Sequence, residues 1–144
     1  MKHHVRNLAV AIAASAFLLS LSSPASGQEP VYERDYPANF DTLWTTLLTV
    51  LHQHGESMIL TDKSNGLLGT DFKSEDGDKW HYKLNLLVTK KGDTQTNVSI
   101  TCVVEKRSNS MWAVKRGRWE PKKSDGSHEK KLMEDIAQAV QPRQ

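Results

Sequence analysis

Histidines, a single cysteine and scattered carboxylates are this chain's candidates for chemistry. His52 and His54 lie one residue apart in a stretch of helical periodicity. Metal ligands on a helix lie three or four residues apart and so share a face, whereas a spacing of two turns the side chains about 200° from each other. His54 is therefore expected to extend the apolar stripe and His52 to face water, with no metal between them. His81 falls on the polar side of an alternating segment, beside Lys83 and Asn85. A catalytic histidine needs a nucleophile or an orienting carboxylate. Ser99 and Asp71 are candidate neighbours, but no motif couples either to it, so a surface histidine is the expectation. Cys102 alternates with Ile100 and Val104, the setting of a small buried hydrophobe and not of a reactive thiol, which needs basic, exposed surroundings. As the only cysteine it excludes an intramolecular disulfide and a cysteine-rich zinc site. Asp71, Glu75, Asp76 and Asp78 gather around Gly77. The glutamate that closes a twelve-residue calcium loop is missing, so a solvated loop is expected. No catalytic residue, metal or cofactor is assigned.

The segment Glu105 to Lys123 carries more weight. Lys106, Arg107, Lys115, Arg116, Arg118, Lys122 and Lys123 stand there against only Glu105 and Glu120, with Trp112 and Trp119 among them. Basic groups beside indole rings bind nucleic acid, anionic headgroups or acidic protein surfaces. Lysine and arginine on an edge strand also simply block sheet-to-sheet aggregation, but an edge has less use for two exposed tryptophans. Trp112, Lys115, Arg116, Arg118 and Trp119 are accordingly the candidate partner-binding residues.

The elements that must carry these groups follow from periodicity. Val31 to Tyr36 reads as a short strand. Phe40, Leu43, Trp44, Leu47, Leu48 and Leu51 recur at offsets of three and four, which puts them on one stripe of a helix over residues 40–54. Asn39 or Asp41 can cap it and Gly55 can end it. Glu56 to Asp62 and Leu67 to Lys73 form a hairpin about Asn65-Gly66, two residues that tolerate positive φ. Trp80, Tyr82, Leu84, Leu86 and Val88, then Val98, Ile100, Cys102 and Val104, alternate with mostly polar residues, the pattern of an antiparallel sheet with one covered and one wet face. A further strand around Met111 to Lys115 precedes a loop-like stretch at Pro121. A closing helix, Ser127 to Val140, carries Leu132, Met133, Ile136, Ala137 and Val140, with Asp125 or Ser127 as cap and Pro142 beyond its end. The fold class is α+β: a helix-grip-like antiparallel sheet with an N-terminal and a C-terminal helix packed on one face.

Residues 1–27 read as a signal peptide. Lys2 and Arg6 precede the uncharged, apolar run Leu8 to Leu21, and Ala25 and Gly27 form a small-residue cleavage pattern. The run is shorter than the ~20 residues a membrane span needs, so no transmembrane span is expected after cleavage. Residues 16 to 28 contain no cysteine, so no lipidation is expected there. Without Lys2 and Arg6 the basic residues fall to 17, equal to the 17 acidic ones. A neutral, exported domain over residues 28–144 does not read as a nucleic-acid binder. The expected location is periplasmic or secreted.

Phe40 to Phe72 runs F-D-T-L-W-T-T-L-L-T-V-L-H-Q-H-G and then I-L-T-D-K-S-N-G-L-L-G-T-D-F. It resembles the repeated helix-grip domain of BamC-type outer-membrane assembly lipoproteins, in which a helix with an early tryptophan leads to a glycine, a strand ending in an acid, and a Gly-Leu/Ile-Leu/Ile strand. Asp125-Gly126 entering a helix with Leu132 and Ile136 fits the same plan. The resemblance implies a single BamC-like domain with a non-enzymatic accessory or binding role in the envelope, in a setting of outer-membrane assembly, and an envelope protein or anionic surface as partner. The alternative expectation is a small-ligand or lipid carrier with a cavity between sheet and helices.

Overall fold

The computed structural model describes residues 30–109 and 117–141; the segment read as a signal peptide and the strand expected at Met111 to Lys115 lie outside them. In chain order the elements are β1 (Val31–Tyr36), α1 (Phe40–Gln53), β2 (Met58–Asp62), β3 (Leu67–Thr70), β4 (Lys73–Glu75), β5 (Trp80–Lys90), β6 (Thr96–Arg107), β7 (Trp119–Lys122) and α2 (Ser127–Val140). The domain is α+β, as the alternation and the two stripes predict.

The sheet runs β1-β6-β5-β3-β2, with β4 continuing along β5 and β7 along β6. Every pairing among these strands is antiparallel. The β5–β6 hairpin is its spine, in register from Trp80↔Lys106 to Lys90↔Thr96. Both helices lie on one face. There Leu43, Leu47 and Leu51 of α1 and Leu132 and Ile136 of α2 meet Leu84, Val98, Ile100 and Cys102, all of them essentially without solvent exposure. Burying a side chain of this kind stabilises a fold by about 1.5–3 kcal/mol.

Local chemistry sets the boundaries. The Asn39 side chain accepts the Thr42 N–H at 2.9 Å and so caps α1. α2 is entered differently from expectation: Ser127 is already helical, and the cap position is Gly126 at φ +80°. The Asp125 carboxylate accepts the Ser127 N–H at 2.9 Å from just outside the helix. Only glycine fits at 126, because a Cβ there would overlap the Tyr32 hydroxyl. Gly66 is constrained in the same way: it turns at φ +69°, and a Cβ would overlap the Val88 carbonyl oxygen.

Three expectations about strands are corrected. The strand expected to run to Lys73 stops at Thr70, and β4 begins after a jog at Asp71 and Phe72. There the Asp71 N–H turns to the Ser57 carbonyl at 2.7 Å and the Asp71 carboxylate takes the Phe72 N–H at 2.8 Å. The buried Thr70 hydroxyl accepts the Leu84 N–H at 2.9 Å. Pro121, read as loop, lies inside β7 opposite Glu105. Proline lacks an N–H but is tolerated on an edge strand whose outer side pairs with nothing. Trp80, expected on the covered face, is only half-buried, with the Lys106 ammonium 4.7 Å from its ring centre.

Two outcomes follow. Leu47→Ala should lower unfolding stability by about 2–5 kcal/mol in a denaturant titration. Burial pushes the Tyr36 hydroxyl up to about 12, and it donates to the Met133 carbonyl at 3.0 Å. A group whose folded value is raised loses its contribution as pH climbs from the unfolded value through the folded one. Stability should therefore decline between about pH 10 and 12. Tyr36→Phe should make that decline shallower in chemical denaturation measured along a pH series.

Candidate functional site

The face of the sheet that neither helix covers is where the chain's candidate chemistry collects. Alternation places His81, Lys83, Asn85 and Leu87 of β5 on it, with Ser99, Thr101, Val103 and Glu105 directly across on β6. His81 stands opposite Glu105, and its Nε2 lies 2.5 Å from the Glu105 carboxylate. The imidazole is sandwiched: the Phe72 ring is 4.0 Å from it on one side and the Trp119 ring 3.6 Å on the other. The Lys83 ammonium sits 5.0 Å from the centre of the Phe72 ring. Three separate segments build this stack. The jog before β4 delivers Phe72, β5 delivers His81, and β7 delivers Trp119, held opposite Arg107 by its ladder with β6.

Ser99 and Asp71, the neighbours considered for His81, take no part. The Ser99 hydroxyl donates to Glu33 at 2.9 Å, and the Asp71 carboxylate holds the Phe72 N–H. The carboxylate that does meet His81 was legible only through register, since Glu105 becomes its neighbour once β5 and β6 are aligned. The pair can orient an imidazole and share a proton, and aromatic rings cover both of its faces.

Of the candidate partner-binding residues, Trp112, Lys115 and Arg116 lie outside the described residues. Arg118 is exposed at the entry to β7. Trp119 is not the freely exposed indole expected: it is half-buried, because His81 covers one of its faces. Lys83, Lys106, Arg107, Arg118 and Lys123 form no ion pair among the described residues, whereas Lys122 reaches Glu120 at 3.6 Å.

The remaining candidates are structural. His52 is exposed, and His54 is half-buried, its Nε2 2.7 Å from Asp135 on α2. Hydrogen bonds from Lys131 and from His54 hold the Asp135 carboxyl below its usual range. Asp76 and Asp78 flank Gly77 at positive φ in the turn before β5, Asp76 pairing with Lys79 at 3.4 Å and Glu75 with His128 at 3.5 Å. Cys102 is fully buried, as its alternation predicts. No group of three or more His, Cys, Asp or Glu side chains among the described residues is placed to hold a metal ion. No helix among them is long and apolar enough to cross a membrane.

One polar cluster had no sequence signal. Glu56, read only as the start of a strand, is buried behind α1, where its Oε1 accepts the Tyr82 hydroxyl at 2.7 Å and meets the Lys73 ammonium at 3.4 Å. Lys73 also donates to the His54 carbonyl. Burial first, and Glu56 next, drive the Tyr82 hydroxyl well above the ordinary phenol range. His128 stacks on the Tyr82 ring at 3.9 Å. The cluster ties β4, β5 and the two helix ends together. The space between sheet and helices, where a carrier would need its cavity, is filled by Trp44, Leu47, Leu84 and their neighbours. A groove of about 900 Å³ lies instead on the helix side, between the threonine face of α1 and the end of α2.

Comparison with known protein families and with curated proteins gives no match. The described residues define the class: a two-helix, seven-stranded antiparallel α+β domain with an uncovered sheet face that carries aromatic and cationic side chains.

The stack predicts a local effect. Aromatic pairs contribute about 0.5–1.5 kcal/mol each. His81→Ala should accelerate amide hydrogen exchange in β7 about tenfold, while exchange in the middle of β5 and β6 changes little.

Proposed function

We propose that this chain is a non-enzymatic binding module of the cell envelope, working in the periplasm or after secretion, and that its uncovered sheet face is the contact surface. The single observation that carries the reading is where the apolar side chains are left outside. Six large hydrophobic residues are exposed among the described residues, and five of them, Val31, Leu60, Leu67, Phe72 and Leu87, lie on this one face. Leu67 and Leu87 are direct cross-strand partners. Scattered single hydrophobics need no explanation, but a contiguous patch rimmed by charge marks a site of association. Lys83, Arg107 and Arg118 supply that rim.

The signal-like N-terminus supports the compartment, and the likeness of Phe40 to Phe72 to BamC-type domains supports an accessory role beside outer-membrane assembly. A protein partner with an acidic margin fits the surface. Trp112, Lys115 and Arg116 belong to the same proposed contact through their place in the sequence.

A photo-reactive amino acid at Leu87 or Lys83 should form a discrete protein adduct in intact cells, while the same group at Thr49 on α1 should not. Equal labelling from Thr49 and Leu87, or none from Leu87, would remove the open face from the reading. Combined replacement of Arg116, Arg118 and Trp119 should weaken capture of the partner.

A further inference from the structure

We infer that the occupant of the open sheet face is a second copy of this chain, packed face to face about a two-fold axis that crosses the strands. The inference rests on reading that face as a contact surface and adds what covers it.

Charge comes first. The face is polarised along its strands. Glu33 and Asp35 of β1 lie at one end, paired across the ladder with Ser99 and Asn97; Lys91 already neutralises Asp35 at 2.9 Å, so Glu33 is the carboxylate of β1 left to a partner. Lys83 lies toward the other end, and Arg107 lies there opposite Trp119. Between Asp35 and Lys83 the exposed leucines Leu67 and Leu87 stand side by side in the row of Ser99 and Glu33, and Leu60 and Val31 end the next row, whose middle is Gly69, Asn85 and Thr101. An occupant must carry the opposite sequence of charge along the same direction. A copy turned over about an axis perpendicular to the strands does so by construction: its Glu33 comes over Arg107, and Arg107 returns the same contact. An isologous interface repeats each such contact twice. A uniformly anionic bilayer would meet Lys83 and Arg107 favourably but would be repelled by Glu33.

Area comes second. The strands of the face range from three residues in β4 to twelve in β6, and at about 4.8 Å spacing and 3.4 Å rise they outline roughly 700 Å². That is near the ~800 Å² per partner of a stable, specific interface. Two such sheets pack about 10 Å apart with strands within about 30° of each other.

The polar groups of the face can be enclosed because many are already satisfied. Ser99 donates to Glu33, the Asn97 amide donates to Asp35 at 2.7 Å, and His81 is bonded to Glu105. Enclosing satisfied groups avoids the cost of stranding donors and acceptors. The leucines at the middle then supply the drive.

Sedimentation of the exported, purified chain tests this without knowledge of any other partner. A concentration-dependent dimer is expected. Leu87→Glu, an exposed position outside the core, should raise its dissociation constant about 30-fold or more. Glu33→Lys and Arg107→Glu should each weaken it about tenfold, and the two together should recover most of the loss. Circular dichroism of each variant should match the parent, and Lys83→Glu serves where one does not. A chain that stays monomeric up to about 1 mM, at which the weakest specific contacts form, overturns the inference. So does a dimer indifferent to Leu87→Glu and to the charge exchange, or a monomer that instead sediments with phosphatidylglycerol vesicles. A monomer whose Leu87 probe still captures a different protein in cells would overturn the second copy and leave the contact face standing.

Discussion

An antiparallel sheet with one apolar face is unstable in water until something covers that face, and here two helices from opposite ends of the chain do so. α1 follows the first strand and α2 ends the described chain, yet they meet over Leu84, Val98 and Ile100. Neither helix has a reason to hold its shape alone, since helices of fourteen residues are marginal in water. Neither face of the β5–β6 hairpin would order without them. The elements therefore stand or fall together, and the local chemistry described above is a set of adjustments to that one packing problem.

The adjustments fall where the helices end. Past the C-terminus of α1 and at the start of α2 the sheet continues, but apolar cover runs out. Glu56, Tyr82, Lys73 and His128 fill that margin with polar contacts. A carboxylate buried there would be costly if left alone; a phenol and an ammonium on one of its oxygens make it tolerable. Its other oxygen has no hydrogen-bond partner among the described residues, as is also true of one oxygen of the buried Glu129, whose second oxygen accepts the Ser124 hydroxyl at 3.0 Å.

Covering one face leaves the other to function. The uncovered side carries the hairpin's polar residues, yet also Leu67, Leu87 and Phe72, a mixture that resembles neither a core nor an ordinary solvated surface. Its aromatic stack is held internally, ring on ring, so Phe72 and Trp119 are presented in fixed places. Aromatic side chains packed ring on ring lose little conformational freedom on contact.

Much of this was legible in one dimension. Period decided the two helices, the two long strands and the buried position of Cys102, because apolar spacing at 3.6 or 2 residues has few other solutions. Asn65-Gly66 marked a turn for equally local reasons, and of Asn39 and Asp41, both able to cap α1, the structure uses Asn39. What periodicity could not supply was register and proximity between distant segments. Glu105 beside His81, Trp119 stacked on that imidazole, and Glu56 against Tyr82 are contacts across 24, 38 and 26 residues. They arise only when β5 aligns with its neighbours, so tertiary structure alone decided them. The same holds for Pro121, which reads as a loop by propensity and becomes an edge strand because β6 offers it a partner. Residue type and spacing determined which side chains would be greasy and on what element. The closing of the sheet determined which of them would be left outside, side by side, on a single open face.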